Sequence, residues 1–277
     1  MGLMVTLPPI AILGTGSMGG AILAGLTAPS VSVDGRIRVT NRTIEKARPL
    51  SSAAVESFAL EETPDANRLA VAGARIVLIG VKPGMVADLL REVADALEPD
   101  AIVISVAAGV TTATMEAIVP GAVLRAMPNT PAVVGRGVTG LAPGSRATAA
   151  EVAIARALFE TVGRVIELPE DKIDALSTIS GSGPAYVFYL IEELTRTAID
   201  LGFTAEESET MVNGTFLGAA ELLVSSGAPP AELRRRVTSP HGTTERAIEV
   251  LQAADLKDLF DRATAAALAR AKELAEG

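Results

Sequence analysis

The chain has 277 residues, 49% of them hydrophobic and 21% charged, a composition that folds around a core in one or two domains. It carries 24 Lys and Arg against 33 Asp and Glu, a formal charge of −9. That balance argues against a nucleic-acid or anionic-membrane surface, while a small anion can still be held by backbone donors. Cysteine is absent and there is one histidine, so disulfides, thiolate nucleophiles, Cys-ligated metals and any site needing two histidines are excluded.

Aromatic residues are 3% of the chain, without Trp, which leaves no stacking platform for single-stranded nucleic acid. Apolar runs are broken by charge, Gly or Pro before they reach the roughly 20 residues of a membrane span. The opening "MGLMVTLPPIAILG" lacks a basic n-region and runs into a strand, so it does not read as a signal peptide; a cytoplasmic protein is expected. "MGLMVT" also fits the bare myristoylation pattern of Gly2 and Thr6, which is short enough to recur by chance.

In chain order, short apolar β-branched runs come first: "IAILG" (10–14), "IRVT" (37–40), "ARIVLIGV" (74–81), "AIVISVA" (101–107) and "AVLRAM" (122–127). Amphipathic stretches such as "MVADLLREVADALEP" (85–99) separate several of them. Continuous apolar strands alternating with helices predict a parallel sheet covered on both faces. "GVTGLAPG" and "RVIELPED" read as later, shorter strands around a helix over 148–161.

After about residue 170 the strands stop. "GPAYVFYLIEELTRTAIDLG" (183–202) has helical spacing and ends on Gly202, a C-terminal cap. Tyr186 and Tyr189 fall on this stretch, which reads as a core helix. Thr204 and Glu207 form a capping-box pattern opening a helix to residue 226, and further helices are predicted over 243–253 and 256–275. The expected organisation is an α/β domain over 1–168 and an all-α domain over 169–277. The Ala, Gly and Leu content of the latter suits close helix packing inside a dimer as well as a monomer core.

"ILGTGSMGGAI" (12–22) places Gly14, Gly16 and Gly19 in G-x-G-x-x-G spacing, after an apolar strand and at the start of a helix. The first glycine makes the turn, the second lets backbone approach a pyrophosphate, and the helix start supplies N–H groups. An NAD site would put an acid at the end of the second strand for the ribose 2′-hydroxyl. Here that strand ends "VTNRT" with no carboxylate, and the planar fork of Arg42 suits a 2′-phosphate, so NADPH is the expected cofactor with NADH as the alternative. "GVKPG" (80–84), "VAAG" (106–109) and "MPNTP" (127–131) are further strand-end loops where ligands of open α/β sheets bind. Late in the chain, "SPHGTT" (239–244) joins helical segments and holds the single histidine, His241. From the residues alone, Thr244 reads as a helix N-cap ahead of a catalytic group, and His241 as an exposed loop residue ahead of a catalytic acid.

Taken in order, "GTGSMGGAI", "GVKPG", "SVAAGV", "RAMPNTPA", "SGSGPAYVF" (180–188) and "VTSPHGTT" (237–244) resemble the pyrroline-5-carboxylate reductase family over nearly the whole chain. The last two are the most specific. The resemblance implies an N-terminal Rossmann-type dinucleotide-binding domain followed by an all-α dimerisation domain, with homodimers that in some members assemble into a decamer of five dimers. It implies NAD(P)H-dependent reduction of 1-pyrroline-5-carboxylate to L-proline, the last step of proline biosynthesis. By position, the family's cofactor contacts fall on Leu13, Gly14, Thr15, Gly16, Ser17 and Met18, on Asn41 and Asn67, on Val81, Lys82 and Pro83, and on Val106, Ala107 and Ala108. The substrate loop falls on Ser239 to Thr244, where Ser239, Gly242, Thr243 and Thr244 surround the substrate carboxylate and the Thr244 hydroxyl lies near the imine nitrogen. His241 stands where the family pattern has glycine, and a positive φ there would carry a cost. A related imine or β-hydroxyacid dehydrogenase, and a nucleotide-sensing protein without turnover, are the competing readings.

Overall fold

The computed structural model describes residues 5–276. Gly2 of the acylation pattern lies outside them. The chain divides into two compact units, one running to Ser182 and taking in the chain from Ala267, the other Gly183–Ala266.

The first unit is built on ten strands: β1 (Val5–Leu7), β2 (Ile10–Leu13), β3 (Val31–Val33), β4 (Ile37–Asn41), β5 (Val55–Ala59), β6 (Ile76–Ile79), β7 (Ile102–Ser105), β8 (Ala122–Met127), β9 (Gly137–Pro143) and β10 (Gly163–Glu167). Its helices are α1 (Ser17–Leu26), α2 (Ile44–Ala47), α3 (Ala66–Val71), α4 (Val86–Val93), α5 (Thr112–Glu116), α6 (Ala149–Glu160) and α7 (Ile173–Leu176). Eight strands make one sheet in the order β10-β9-β8-β7-β6-β2-β4-β5, while β1 and β3 pair separately.

Every residue of β2, β6, β7 and β8 is buried, which is why these strands read as continuous apolar runs. The two-residue side-chain period sorts them onto two cores. Ile10, Ile12, Ile76 and Leu78 pack with Ile22 and Leu26 of α1 and Phe159 of α6. Ala11, Leu13, Val77 and Ile79 pack with Ala70 of α3, Leu90 of α4 and Met115 of α5. Parallel partners flank β2 on both sides, β4 and β6, so the chain order reverses there. In open α/β sheets the crevice beyond the carboxyl ends at such a point is where ligands bind.

Two features go beyond the predicted parallel sheet, one antiparallel pair and one strand without a sequence signal. β9 runs antiparallel to β8, because the connection 128–136 is too short for the crossover of a dozen or more residues that a parallel pair needs. The edge strand β5 was not signalled, since only its two end residues are buried. Beyond β10, a 3₁₀ turn (Glu170–Lys172), α7 and a π-turn (Ser177–Gly181) continue the first unit, with Ile173 packed against Met127 and Ala142.

The second unit holds α8 (Gly183–Asp200), α9 (Ala205–Ser226), α10 (Pro230–Arg236), α11 (Thr243–Ala253) and the first part of α12 (Leu256–Glu276). Gly202, at φ +97°, closes α8 with Gly202 N–H donating to Ile199 O and Phe203 N–H to Ala198 O. The Thr204 capping box forms as expected, with Thr204 N–H donating to Glu207 Oε2 at 2.9 Å. The short helix α10, opened by Pro230, had no apolar period to announce it. Few side chains of this unit are buried: Ala198, Ser208 and Val212. The expected core helix α8 instead exposes Phe188 (66%) and Tyr189 (61%), and α9 exposes Val224 (69%). These helices carry more apolar surface than the single chain covers. Among the described residues, no helix is long and apolar enough to cross a membrane.

Candidate functional site

The turn from β2 into α1 is built by glycines with three different physical reasons. Gly14 has φ +92°, and a Cβ there would lie 2.9 Å from Val81 Cγ1 and 3.2 Å from the Gly80 carbonyl. Gly19 brings α1 onto that turn, for its Cβ would sit 2.6 Å from Gly14 O. Beside Gly16 nothing lies within 4 Å. Gly16 is the N-cap of α1 and offers no side-chain cap, so the amides of Ser17, Met18 and Gly19 have no acceptor within the helix. Bare amides at a helix start, with no acidic residue in the first turn, fit an anionic pyrophosphate.

The walls of this cradle come from neighbouring strand ends. Asn41, the buried last residue of β4, donates through Nδ2 to Thr15 Oγ1 and so ties the glycine turn to its neighbour. Thr40 Oγ1 donates to Asn67 Oδ1 at 2.8 Å, and Asn67 Nδ2 donates to Glu92 Oε1 at 3.0 Å. Both polar ends of Asn67 are thus engaged by the protein, which makes it a wall residue. Among the described residues, Arg42 is exposed and makes no side-chain hydrogen bond or ion pair, while Thr43 Oγ1 is buried without a partner. Past β6, half-buried Val81 touches the glycine turn, and Lys82 caps the 3₁₀ turn Pro83–Met85 with its amine exposed. Past β7, Ala107 N–H donates to Ser105 Oγ at 3.2 Å, and Gly109 (φ +74°) reverses the chain. Leu13 to Met18, Asn41, Arg42, Asn67, Val81 to Pro83 and Val106 to Ala108 therefore collect at the ends of adjacent strands β4, β2, β6 and β7.

Sequence reasoning missed the polar girder beneath these loops. Arg125, buried on β8, donates through Nη2 to Asp174 Oδ1 at 2.5 Å and lies 3.8 Å from Glu170. Glu170 in turn accepts the Thr112 amide at 2.7 Å and the Thr112 hydroxyl at 2.5 Å. Asn129 Oδ1 accepts Val138 N–H, and its Nδ2 donates to Ser180 O, both at 2.8 Å. These contacts fix the loop after β7 and the π-turn from β8 and the turn that follows it. The signal was a charged residue in a wholly apolar strand, but its carboxylates lie far along the chain.

In the second unit, the Ser239–Thr244 loop leads into α11. His241 has φ +61°, the left-handed region that favours glycine. Its amide donates to Glu245 Oε2 at 2.8 Å, and Gly242 N–H donates to Ser239 O at 3.0 Å. Two loop amides expected to face a ligand are therefore engaged internally. The amides of Thr243, Thr244 and Glu245 lack an acceptor within the helix. The N-cap is Gly242, so the reading of Thr244 as the cap is corrected: Thr244 is the second helical residue, exposed, and its hydroxyl has no partner among the described residues.

The chain is 39% identical over 272 residues to a pyrroline-5-carboxylate reductase of Pseudomonas aeruginosa, covering 97% of each chain. It belongs to the pyrroline-5-carboxylate reductase family. A second reductase of this family, from Corynebacterium melassecola, is 35% identical and is covered over 98% of its length. The solved structure of a pyrroline-5-carboxylate reductase from Coxiella burnetii superposes with a TM-score of 0.86 at 36% identity, covering 96% of this chain and 97% of that one. Residues 9–109 match the model described as NADP oxidoreductase, coenzyme F420-dependent, and residues 170–274 match pyrroline-5-carboxylate reductase dimerisation. As a member of this family the chain is an oxidoreductase with a nicotinamide-cofactor domain, and its exposed apolar helices lie within a dimerisation domain.

Proposed function

We propose that the chain reduces 1-pyrroline-5-carboxylate to L-proline with NADPH, as the last step of proline biosynthesis. The observation that carries this reading is the glycine cradle at the switch point, in a chain related along its whole length to reductases of that name. Residues 1–168 would bind the cofactor, and 169–277 would dimerise and bind the substrate. Pairing through the exposed faces of α8 and α9 gives a homodimer, and five such dimers a decamer.

When bound, the cofactor supplies a hydride. The chain's own residues bind and orient. The Ser17, Met18 and Gly19 amides would hold bridging phosphates, and Arg42 would pair with a 2′-phosphate. Val81, Ala107 and Ala108 offer small apolar surface to a flat ring. In the second unit, the amides of Thr243 to Glu245 take the substrate carboxylate, and the unpartnered Thr244 hydroxyl hydrogen-bonds the ring nitrogen. A cyclic imine is basic enough to be protonated near neutral pH. With the nitrogen already carrying its proton, the chain would need only to hold the imine carbon facing the cofactor. No Tyr–Lys pair is needed, and α8 provides none: Leu190 and Glu193 stand four residues after Tyr186 and Tyr189. Orientation is the main demand.

The test is oxidation of NADPH in the presence of DL-pyrroline-5-carboxylate, with NADH as control. Turnover with NADPH is expected. No turnover with either cofactor would favour a nucleotide-sensing protein.

A further inference from the structure

The end of β4 lacks the acid of a 2′-hydroxyl-binding site, yet the adjacent strand delivers one to the same corner. β4 and β5 pair as far as Asn41 and Ala59. The ladder then continues, with Leu60 N–H donating to Asn41 O at 2.9 Å and Glu61 N–H to Arg42 O at 3.2 Å. Glu61 therefore lies alongside Arg42. Its carboxylate turns onto the same loop and accepts the Ile44 amide, directly after Thr43. It forms no ion pair with Arg42, whose guanidinium has no partner among the described residues. Glu45 and Glu62 are also exposed nearby, but neither makes a side-chain hydrogen bond to the 41–44 turn.

We propose that Glu61 is a specificity-determining residue of the cofactor site, its charge weakening the hold on a 2′-phosphate beside Arg42 and so keeping NADH usable. The inference rests on Arg42 being the 2′-phosphate partner. A carboxylate and a phosphate of about −2 lying within a Debye length of one another at a wet surface repel enough to change binding about three- to tenfold, less in high salt. The neutral 2′-hydroxyl of NADH feels none of this.

Glu61→Gln keeps an oxygen acceptor for the Ile44 amide and removes the charge. Calorimetric titration with NADP⁺ and NAD⁺, beside steady-state kinetics with the reduced forms, reads both affinity and turnover. The expected result is a three- to tenfold rise in the NADP⁺ over NAD⁺ affinity ratio at low ionic strength, carried by KM for NADPH and shrinking as salt is added. A purely structural role would move both cofactors alike and ignore salt; that outcome, or an unchanged ratio in a variant that melts like the wild type, overturns the proposal. Arg42→Ala separates the two layers. If it weakens both cofactors equally, the 2′-phosphate reading falls and this inference with it. If it selectively weakens NADP⁺ while Glu61→Gln leaves the ratio unchanged, only the inference falls.

Discussion

Gly16 and Gly19 are three residues apart in one motif, and the structure gives them opposite reasons to be glycine. A Cβ on Gly16 meets nothing within 4 Å, and its φ of −70° is ordinary for alanine. Gly16→Ala should therefore leave the fold intact, with a melting temperature within about 2 °C of wild type, since the change at the cap is a fraction of a kcal/mol. A Cβ on Gly19 would lie 2.6 Å from Gly14 O, well inside contact distance from backbone that cannot swing away. Moving α1 outward to relieve that clash should cost about 1–3 kcal/mol, or roughly 2–12 °C at this domain size. Cofactor binding should show a different pattern. With the bridging phosphates placed as proposed, the Gly16→Ala methyl would take their space, so NADPH affinity should fall at least about tenfold, the equivalent of one good charge-assisted hydrogen bond. Thermal unfolding without cofactor and calorimetric titration of NADPH measure the two effects separately. If Gly16→Ala binds NADPH as tightly as wild type, the cradle is only a strand-to-helix turn and the site lies elsewhere.

Thr244→Val, which keeps shape and removes the hydroxyl, should lower kcat/KM about ten- to a thousandfold across pH 5–9. His241→Gly should keep most activity, since glycine suits φ +61°; the reverse pattern in the same kinetics would make His241 the working residue. Arg125→Met leaves Glu170 and Asp174 without their buried cation and should destabilise the chain by about 3–5 kcal/mol in denaturant titration, whereas a loss below about 1 kcal/mol would mark the girder as dispensable. The Thr148 amide, backed by its hydroxyl and by Arg75, holds the Glu151 carboxyl below its usual value of 4.5. The resulting stability is present above about pH 4.5 and is lost as pH falls through the lower folded value, so Glu151→Gln should lose its disadvantage to wild type below that point. Light scattering at micromolar concentration should find a dimer or larger; an active monomer would refute the role given to the exposed faces of α8 and α9.

The sequence made the first unit legible where burial was complete. β2, β6, β7 and β8 are covered on both faces, so nothing polar interrupts them. β5, with only Val55 and Ala59 buried, and the reversal at β9 depend on what lies beside each strand, which no local pattern encodes. The second unit was misread in one respect for the same reason. Apolar spacing on α8 identified a helix with a face to hide but could not say whether the covering surface was in the same chain. The end of α8 and the start of α9 were read well, because Gly202 and the Thr204–Glu207 box act within four residues of sequence, whereas the cap of α11 is Gly242 and not Thr244.

The candidate sites follow a rule that acts between residues distant in sequence, and there reading from the letters stops. Every buried or loop amide must find an acceptor in the protein, water or a ligand. In "VTNRT" and "SPHGTT" the letters show which amides exist, not which are taken. Glu61 reaches Ile44 from 17 residues away, and Glu245 reaches back over the loop to His241. That second contact explains how a non-glycine residue stays at φ +61°, because the carboxylate holds its amide in place. With these two amides and Gly242 engaged, Ser17, Met18 and Gly19 in one unit and Thr243, Thr244 and Glu245 in the other stand without an acceptor inside their own helices. Each set opens a helix long enough to carry a partial positive charge, and each is what an anionic group would need. A net charge of −9 is thus compatible with two anion sites, because the donors that make them are backbone.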